Sequence, residues 1–214
     1  NPNVIVVLNV GGGVDMTPWL DRVPAVVMAW YPGQQGGKAV AEVLFGDYNP
    51  AGKLPVTFYR NVSQLPDFED YNMTGRTYRY MQDVPLFPFG YGLSYTTFGY
   101  GKTVFDKNEL TAGQSLKLTV PVTNTGKRNG EEVVQVYLRK QGDAEGPIKT
   151  LRAFKRVSIP AGKTVNVEFD LKDKELEWWD DQSNTVRVCP GNYDIMVGGS
   201  SKEEDLQRTT IAIK

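Results

Sequence analysis

The apolar run Val4-Ile5-Val6-Val7-Leu8 stops at Gly11-Gly12-Gly13, the pattern of a short strand buried on both faces of a parallel sheet. A second such run, residues 25–30, closes at Pro32-Gly33. Between them residues 16–23 leave room for only a short helix. Val40, Val43 and Leu44 then recur at helical spacing, with Gly46 where a helix C-cap belongs. Residues 54–59 read as a further strand after the turn Asn49-Pro50-Ala51-Gly52. Strand, crossover, strand, helix, strand is part of a layered α/β domain. Two parallel strands and one helix do not cover both faces of a sheet, so the region is expected to be incomplete, with exposed strand edges.

The pattern changes twice more. From residue 60 to 101 periodicity fades and Pro, Gly, Tyr and Phe accumulate, with residues 77–80 the one expected strand. A long aromatic connection of this kind serves as a lid or as a strap across neighbouring domains. Beyond residue 102, alternating segments at 115–122, 132–138, 154–159, 164–171, 193–197 and 208–213 are separated by Ala112-Gly113, Thr125-Gly126, Ala161-Gly162 and Pro190-Gly191. With the weaker 185–188 they predict an antiparallel β-sandwich. The expected organisation is a partial α/β domain over residues 1–59, a connector over 60–101 and an all-β sandwich over 102–214.

Composition narrows the chemistry. The 214 residues carry 24 basic and 25 acidic side chains, no histidine and one cysteine. So balanced a charge creates no field for nucleic acid or anionic lipid. The lack of histidine excludes Ser-His-Asp and Cys-His systems within the chain and the commonest zinc and haem ligand sets. No cofactor and no metal is expected. A single Cys189 forms no intrachain disulfide, and no apolar run approaches the roughly 20 residues of a membrane helix.

The glycines at 11–13 lack the spacing of a phosphate-binding loop and read as a tight turn. Trp30-Tyr31-Pro32-Gly33-Gln34-Gln35-Gly36-Gly37 falls at the carboxyl edge of the sheet, where ligands of open α/β folds collect. Aromatic faces and amides suit sugar rings, yet the same residues equally suit a packed core with close strand–helix contact. Asp67, Glu69 and Asp70, Asp180 and Asp181, and Glu203-Glu204-Asp205 read as solvated loop charge. The triplets Asn61-Val62-Ser63 and Asn72-Met73-Thr74 fit a glycosylation acceptor, a pattern that arises often by chance.

Four blocks carry a family resemblance. The loop at 30–37, then residues 43–55 (VLFGDYNPAGKLP), then Gly75-Arg76-Thr77-Tyr78-Arg79-Tyr80, then residues 87–98 (FPFGYGLSYTTF) stand in the order seen in family 3 glycoside hydrolases. The resemblance is closest to β-glucosidase and β-xylosidase members. It implies a (β/α)8 barrel, an α/β sandwich domain and a fibronectin type III-like domain, of which this sequence resembles the end of the second and all of the third. It also implies retaining hydrolysis by an aspartate nucleophile on the barrel and a glutamate acid/base upstream of residues 4–8. Neither has a matching position here, so no catalytic residue is assigned. Gln35 stands where relatives often carry glutamate.

Trp30, Tyr31, Gln34 and Arg76 are the substrate-binding candidates, with Arg76 or Arg79 ordering an acidic partner or forming interdomain salt bridges. The implied partners are an oligosaccharide or aryl glycoside, met through the complete enzyme, and the upstream barrel with the rest of the α/β domain. The implied location is periplasmic or secreted. Asn1-Pro2 directly before a strand reads as a cut inside a longer protein. The other reading is a non-enzymatic β-sandwich that binds carbohydrate or protein.

Overall fold

A computed structural model describes all of residues 1–214. Strands β1 (Ile5–Leu8) and β2 (Ala25–Met28) pair in parallel, Ile5 opposite Ala25, as a two-stranded sheet. A short 3-10 turn (Leu20–Arg22) fills the crossover. Helix α1 (Gly36–Phe45) follows, and Gly46 ends it in the left-handed conformation at φ 83°. Both outer edges of the sheet are unpaired, and Val4, Ile5, Val7 and the α1 residues Leu44 and Phe45 face solvent.

Two expected strands do not form. Residues 54–59 join the chain to the connector instead. Phe58 makes an isolated antiparallel bridge with Phe87, and Leu54 donates to the Tyr91 carbonyl. Pro55 has no N–H to give a ladder, and Phe58, almost wholly buried, packs edge-on against Trp30 and Phe87. Residues 77–80 are the one-turn helix α2 (Thr77–Tyr80), closed by Tyr80 and Met81 amides donating to Arg76 and Thr77 carbonyls. Thr77 at φ 55° enters that turn from the left-handed region, which an extended strand excludes. The alternation of Tyr78 and Tyr80 imitated a strand. In fact Tyr78 stacks on Phe89 at 4.2 Å and meets Tyr137 edge-on at 5.9 Å.

The rest is a sandwich of two antiparallel-rich sheets. Its strands are β3 (Phe98–Tyr100), β4 (Val104–Phe105), β5 (Glu109–Leu110), β6 (Leu116–Asn124), β7 (Gly130–Lys140), β8 (Thr150–Ile159) and β9 (Thr164–Leu171). After a turn of helix α3 (Asp173–Leu176) come β10 (Trp178–Asp180) and β11 (Thr185–Arg187), which pair only with each other as a separate antiparallel ribbon, and then β12 (Gly191–Gly198) and β13 (Gln207–Ile213). One sheet runs β5-β13-β12-β7-β8. In the other, β6 pairs with β3 and β4 on one edge and β9 on the other. The period-2 residues Leu116, Leu118, Val120 and Val122 of β6 meet Val134, Val136 and Leu138 of β7 and Tyr193, Ile195 and Val197 of β12 in one core. Trp178 and Cys189 also lie in it, Trp178 edge-on to Tyr193 at 6.2 Å. No helix of the chain is long and apolar enough to cross a membrane.

The five-stranded sheet is buried on both faces along β7 and β12 because the connector straps over it. Gln135, 2% exposed, donates from Nε2 to the carbonyls of Gly90 and Gly199 and accepts from the Tyr137 hydroxyl. A Cβ at Gly90 would fall 2.1 Å from Gln135 Oε1, so only glycine admits this contact. Beside it Lys53 reaches Glu132 at 3.1 Å and the Gly92 carbonyl at 3.1 Å, with the two side chains 16% and 7% exposed. Burial, and then the charge of Glu132, push the neighbouring Tyr100 phenol upward. Asn49 completes the seam, accepting from Ser94 and the Tyr95 amide and donating to the Asn129 carbonyl.

The tip at 203–205 is a 3-10 turn between β12 and β13, but Glu203 is not free solvated charge. It pairs with the buried Lys149 at 2.7 Å and with Arg208. Burial opposes its ionisation, yet Lys149 and Arg208 outweigh that and hold its carboxyl below the ordinary range.

Lys53→Met leaves Glu132 buried without its counter-charge and is expected to cost about 3–5 kcal/mol in denaturant unfolding. The double variant Lys53→Met, Glu132→Leu should recover most of that loss; a single variant within about 1 kcal/mol of wild type would refute a buried pair. Because Glu203 has a lowered folded-state pKa, its contribution is present above the ordinary carboxylate range and lost as pH falls through it. Glu203→Gln should therefore flatten the decline of stability between about pH 5 and 3, read by thermal melts across that window.

Candidate functional site

The carboxyl edge of β1 and β2 opens on a cleft of about 440 Å³ lined by Val7, Asn9, Ala29, Tyr31, Pro32, Gly33, Gly36, Gly37 and Val40. Its floor is the sheet end, and its wall is the start of α1. Trp30, two residues past β2, lies in the left-handed region at φ 54°, which costs a non-glycine residue about 1–2 kcal/mol. That turn lays the next ring, Tyr31, over Gly11, where an added Cβ would fall 2.7 Å from the tyrosine ring. Tyr31 is 77% exposed and Trp30 is half-buried against Phe58 at 6.3 Å. Trp30 thus packs inward, and Tyr31 presents its face to solvent.

The other candidates separate from this pair. Gln34 is exposed in the same loop without lining the cleft. Arg76 lies in the connector, donating from Nε to the Asn72 carbonyl at 2.7 Å and from Nη2 to the Asp70 carbonyl, so its fork is occupied by its own turn. Neither Arg76 nor Arg79 forms an ion pair with any carboxylate of the chain. Asn9 and Val40, which the sequence does not mark as site residues, also line the cleft. Asn9 follows β1 directly, and its position at a strand's carboxyl end was the available signal.

The carboxylate clusters sit elsewhere. The Asp70 carboxyl is lowered chiefly by the Asn72 amide. Asp180 is held at about 2, first by the Ser183 hydroxyl and then by Arg187. Asp181 accepts from the indole of Trp179 at 2.8 Å. Groups committed in this way hold turns. The cleft can stack and hydrogen-bond a polar ring, and the residues lining it contribute no carboxylate.

Comparison with known proteins gives these features a context. Residues 1–95 match the glycosyl hydrolase family 3 C-terminal domain, and residues 132–201 match a fibronectin type III-like domain. The chain is 52% identical over 203 residues to a xylan 1,4-beta-xylosidase of Xylanibacter ruminicola, covering 95% of this chain and 23% of that protein. It is 35% identical to a periplasmic beta-glucosidase of Salmonella typhimurium, over 94% of this chain and 28% of that one. Among solved structures, the beta-glucosidase DesR of Streptomyces venezuelae, in complex with D-glucose, superposes with a TM-score of 0.88 at 36% identity, covering all of this chain and 29% of its own. The chain therefore spans about a quarter to a third of the length of the relatives it matches. The expected fold is present, a partial α/β unit followed by a fibronectin type III-like sandwich. Taken together, the two matched regions and the order of their elements place this chain in glycosyl hydrolase family 3, as the C-terminal portion of such an enzyme.

Proposed function

We propose that this chain is the non-catalytic C-terminal portion of a retaining β-glycosidase acting on β-xylosides or β-glucosides, silent in hydrolysis by itself. The observation that carries the reading is the Tyr31 cleft, which offers an aromatic face and polar edges but no carboxylate from its lining. Retention of configuration needs two carboxyl groups about 5–5.5 Å apart across the scissile bond. In this reading both come from the part of the enzyme that the relatives possess beyond this stretch. The unpaired edges of β1 and β2 and the exposed Phe45, Tyr31 and Val7 support the view that a barrel and further α/β elements pack there.

In the assembled enzyme Tyr31 is the platform bordering the sugar, Trp30 and Gln34 shape its loop, and Arg76 fixes the turn that faces it. Residues 1–59 complete the α/β domain, 60–101 strap it to the sandwich and 102–214 form the sandwich. The identity to a xylan xylosidase favours a xyloside over a glucoside, and the similarity to a periplasmic relative favours a periplasmic or secreted enzyme.

The purified chain is expected to release no aryl alcohol from an aryl β-xyloside or β-glucoside above a blank. Restoring the relatives' remaining length ahead of it should give turnover, and hydrolysis by the chain alone would overturn the reading. In the longer enzyme Tyr31→Ala should raise KM about 2–10-fold with kcat little changed, the size of one lost ring contact. An unaltered KM would remove Tyr31 from the sugar site.

A further inference from the structure

A second cavity, of about 560 Å³, lies where the connector crosses the tip of the sandwich. It shares no residue with the Tyr31 cleft. Thr57, Arg60 and residues between Tyr78 and Tyr91 line one side, while Ile148 and Lys149 ahead of β8 and the β12–β13 turn from Ser201 to Glu204 line the other. Hydrogen bonds tie the two sides together. The Ser201 amide donates to the Phe89 carbonyl at 2.9 Å, the Ile148 amide to the Arg79 carbonyl at 2.7 Å and the Leu151 amide to the Tyr78 hydroxyl at 3.1 Å. The cavity is therefore shaped by the fold before anything enters it, and its size falls within the roughly 300–1,000 Å³ of small-molecule sites.

Its lining mixes apolar surface with unspent donors and acceptors. Met81, Leu86, Phe87, Pro88 and Ile148 offer C–H and ring surface. Lys149, its side chain 8% exposed, spends two ammonium protons on the Ser201 carbonyl at 2.8 Å and on Glu203 at 2.7 Å and keeps a third. Arg60 spends Nε on the Val84 carbonyl at 3.1 Å and keeps its two amino groups. The exposed Asp83 carboxylate pairs with no cation. Tyr91 is half-buried and its ring is fixed by stacking on Phe87 at 5.3 Å, yet its hydroxyl has no partner in the chain, whereas the half-buried Tyr59 and Tyr78 both find one. The cations Arg60, Lys149 and Lys202 are matched in number by Asp83, Glu203 and Glu204. So even a charge set rewards neither a net anion nor a net cation. A ligand that bonds donors and acceptors alike and also offers apolar faces is a neutral polyhydroxylated ring, each hydroxyl of which both donates and accepts.

We propose that this junction cavity is a binding site for a neutral saccharide. Asp83 and Tyr91 bond ring hydroxyls from the connector, Lys149 donates from the sandwich, and Phe87 and Pro88 meet the C–H face of the ring. A bound sugar bridges connector and sandwich. The site is independent of the Tyr31 cleft and of the glycosidase reading.

The test is isothermal titration calorimetry of the 214-residue chain carrying Tyr31→Ala, which takes away the stacking face of the other cleft. Xylobiose and cellobiose are the neutral probes, and sodium glucuronate and glucosamine hydrochloride the charged ones. At least one neutral disaccharide should bind saturably and more tightly than either charged sugar. Adding Asp83→Ala or Tyr91→Phe should weaken that binding about 3–10-fold, the size of one lost hydrogen bond. Both changes leave the fold in place, because Asp83 is exposed and unpaired and phenylalanine keeps the stack on Phe87. Absence of saturable binding, a preference for a charged sugar, or binding that neither connector variant weakens overturns the proposal. None of these outcomes depends on hydrolysis, so a failure here is distinct from a failure of the glycosidase reading.

Discussion

The structure depends on a seam of buried polar groups where the connector crosses the sandwich. Strand β7 is covered on both faces, and its Glu132 and Gln135 lie where water cannot reach them. Burial of a charged or amide group is costly unless its bonds are made internally. Lys53, Gly90, Gly92 and Gly199 supply those bonds, and each lies far from β7 in sequence. The seam therefore works as a specificity device. Apolar packing would tolerate sliding of the connector over the sheet, whereas an amide held by two carbonyls and a carboxylate held by one ammonium accept one register.

The seam carries the α/β unit with it. Lys53 follows the turn after α1, and the strap from Leu86 to Tyr91 bonds back to Phe58 and Leu54. The Tyr31 cleft is thus oriented by groups remote from it: Phe58 buttresses Trp30, the left-handed Trp30 turns Tyr31 over Gly11, and Phe87 buttresses Phe58. By contrast, the two-stranded sheet beneath the cleft has few internal contacts and open edges. The sandwich contributes a scaffold, and the α/β unit presents the surface that the scaffold steadies.

Much of this was readable in the chain. The long sandwich strands announced themselves through period-2 alternation because they set one face in a continuous apolar core, as Leu116, Leu118, Val120 and Val122 show, whereas the two- and three-residue strands β3, β4 and β5 are too short to alternate. Helix α1 and its Gly46 stop were equally local in origin. The misread segments are those whose conformation answers to something distant. Residues 77–80 alternate like a strand but coil because Tyr78 is claimed by Phe89 and Tyr137. Residues 54–59 are β-branched and aromatic, yet their pairing goes to Phe87 across a loop. Within the site, Tyr31 and the glycines stood out by type, while Arg76 proved to serve its own turn.

Local sequence alone determined the long strands of the sandwich, the helix and its stop, the family blocks and the absence of histidine chemistry, since each rests on residue type or on a repeat of two or four positions; the short strands β3, β4 and β5 carry no such repeat. Tertiary structure alone decided which polar residues are buried, and that Trp30 packs while Tyr31 is presented. The physical reason is separation along the chain. A hydrogen bond between Gln135 and Gly90, or an ion pair between Lys53 and Glu132, joins residues tens of positions apart, and no local pattern encodes a distance that only the folded seam creates.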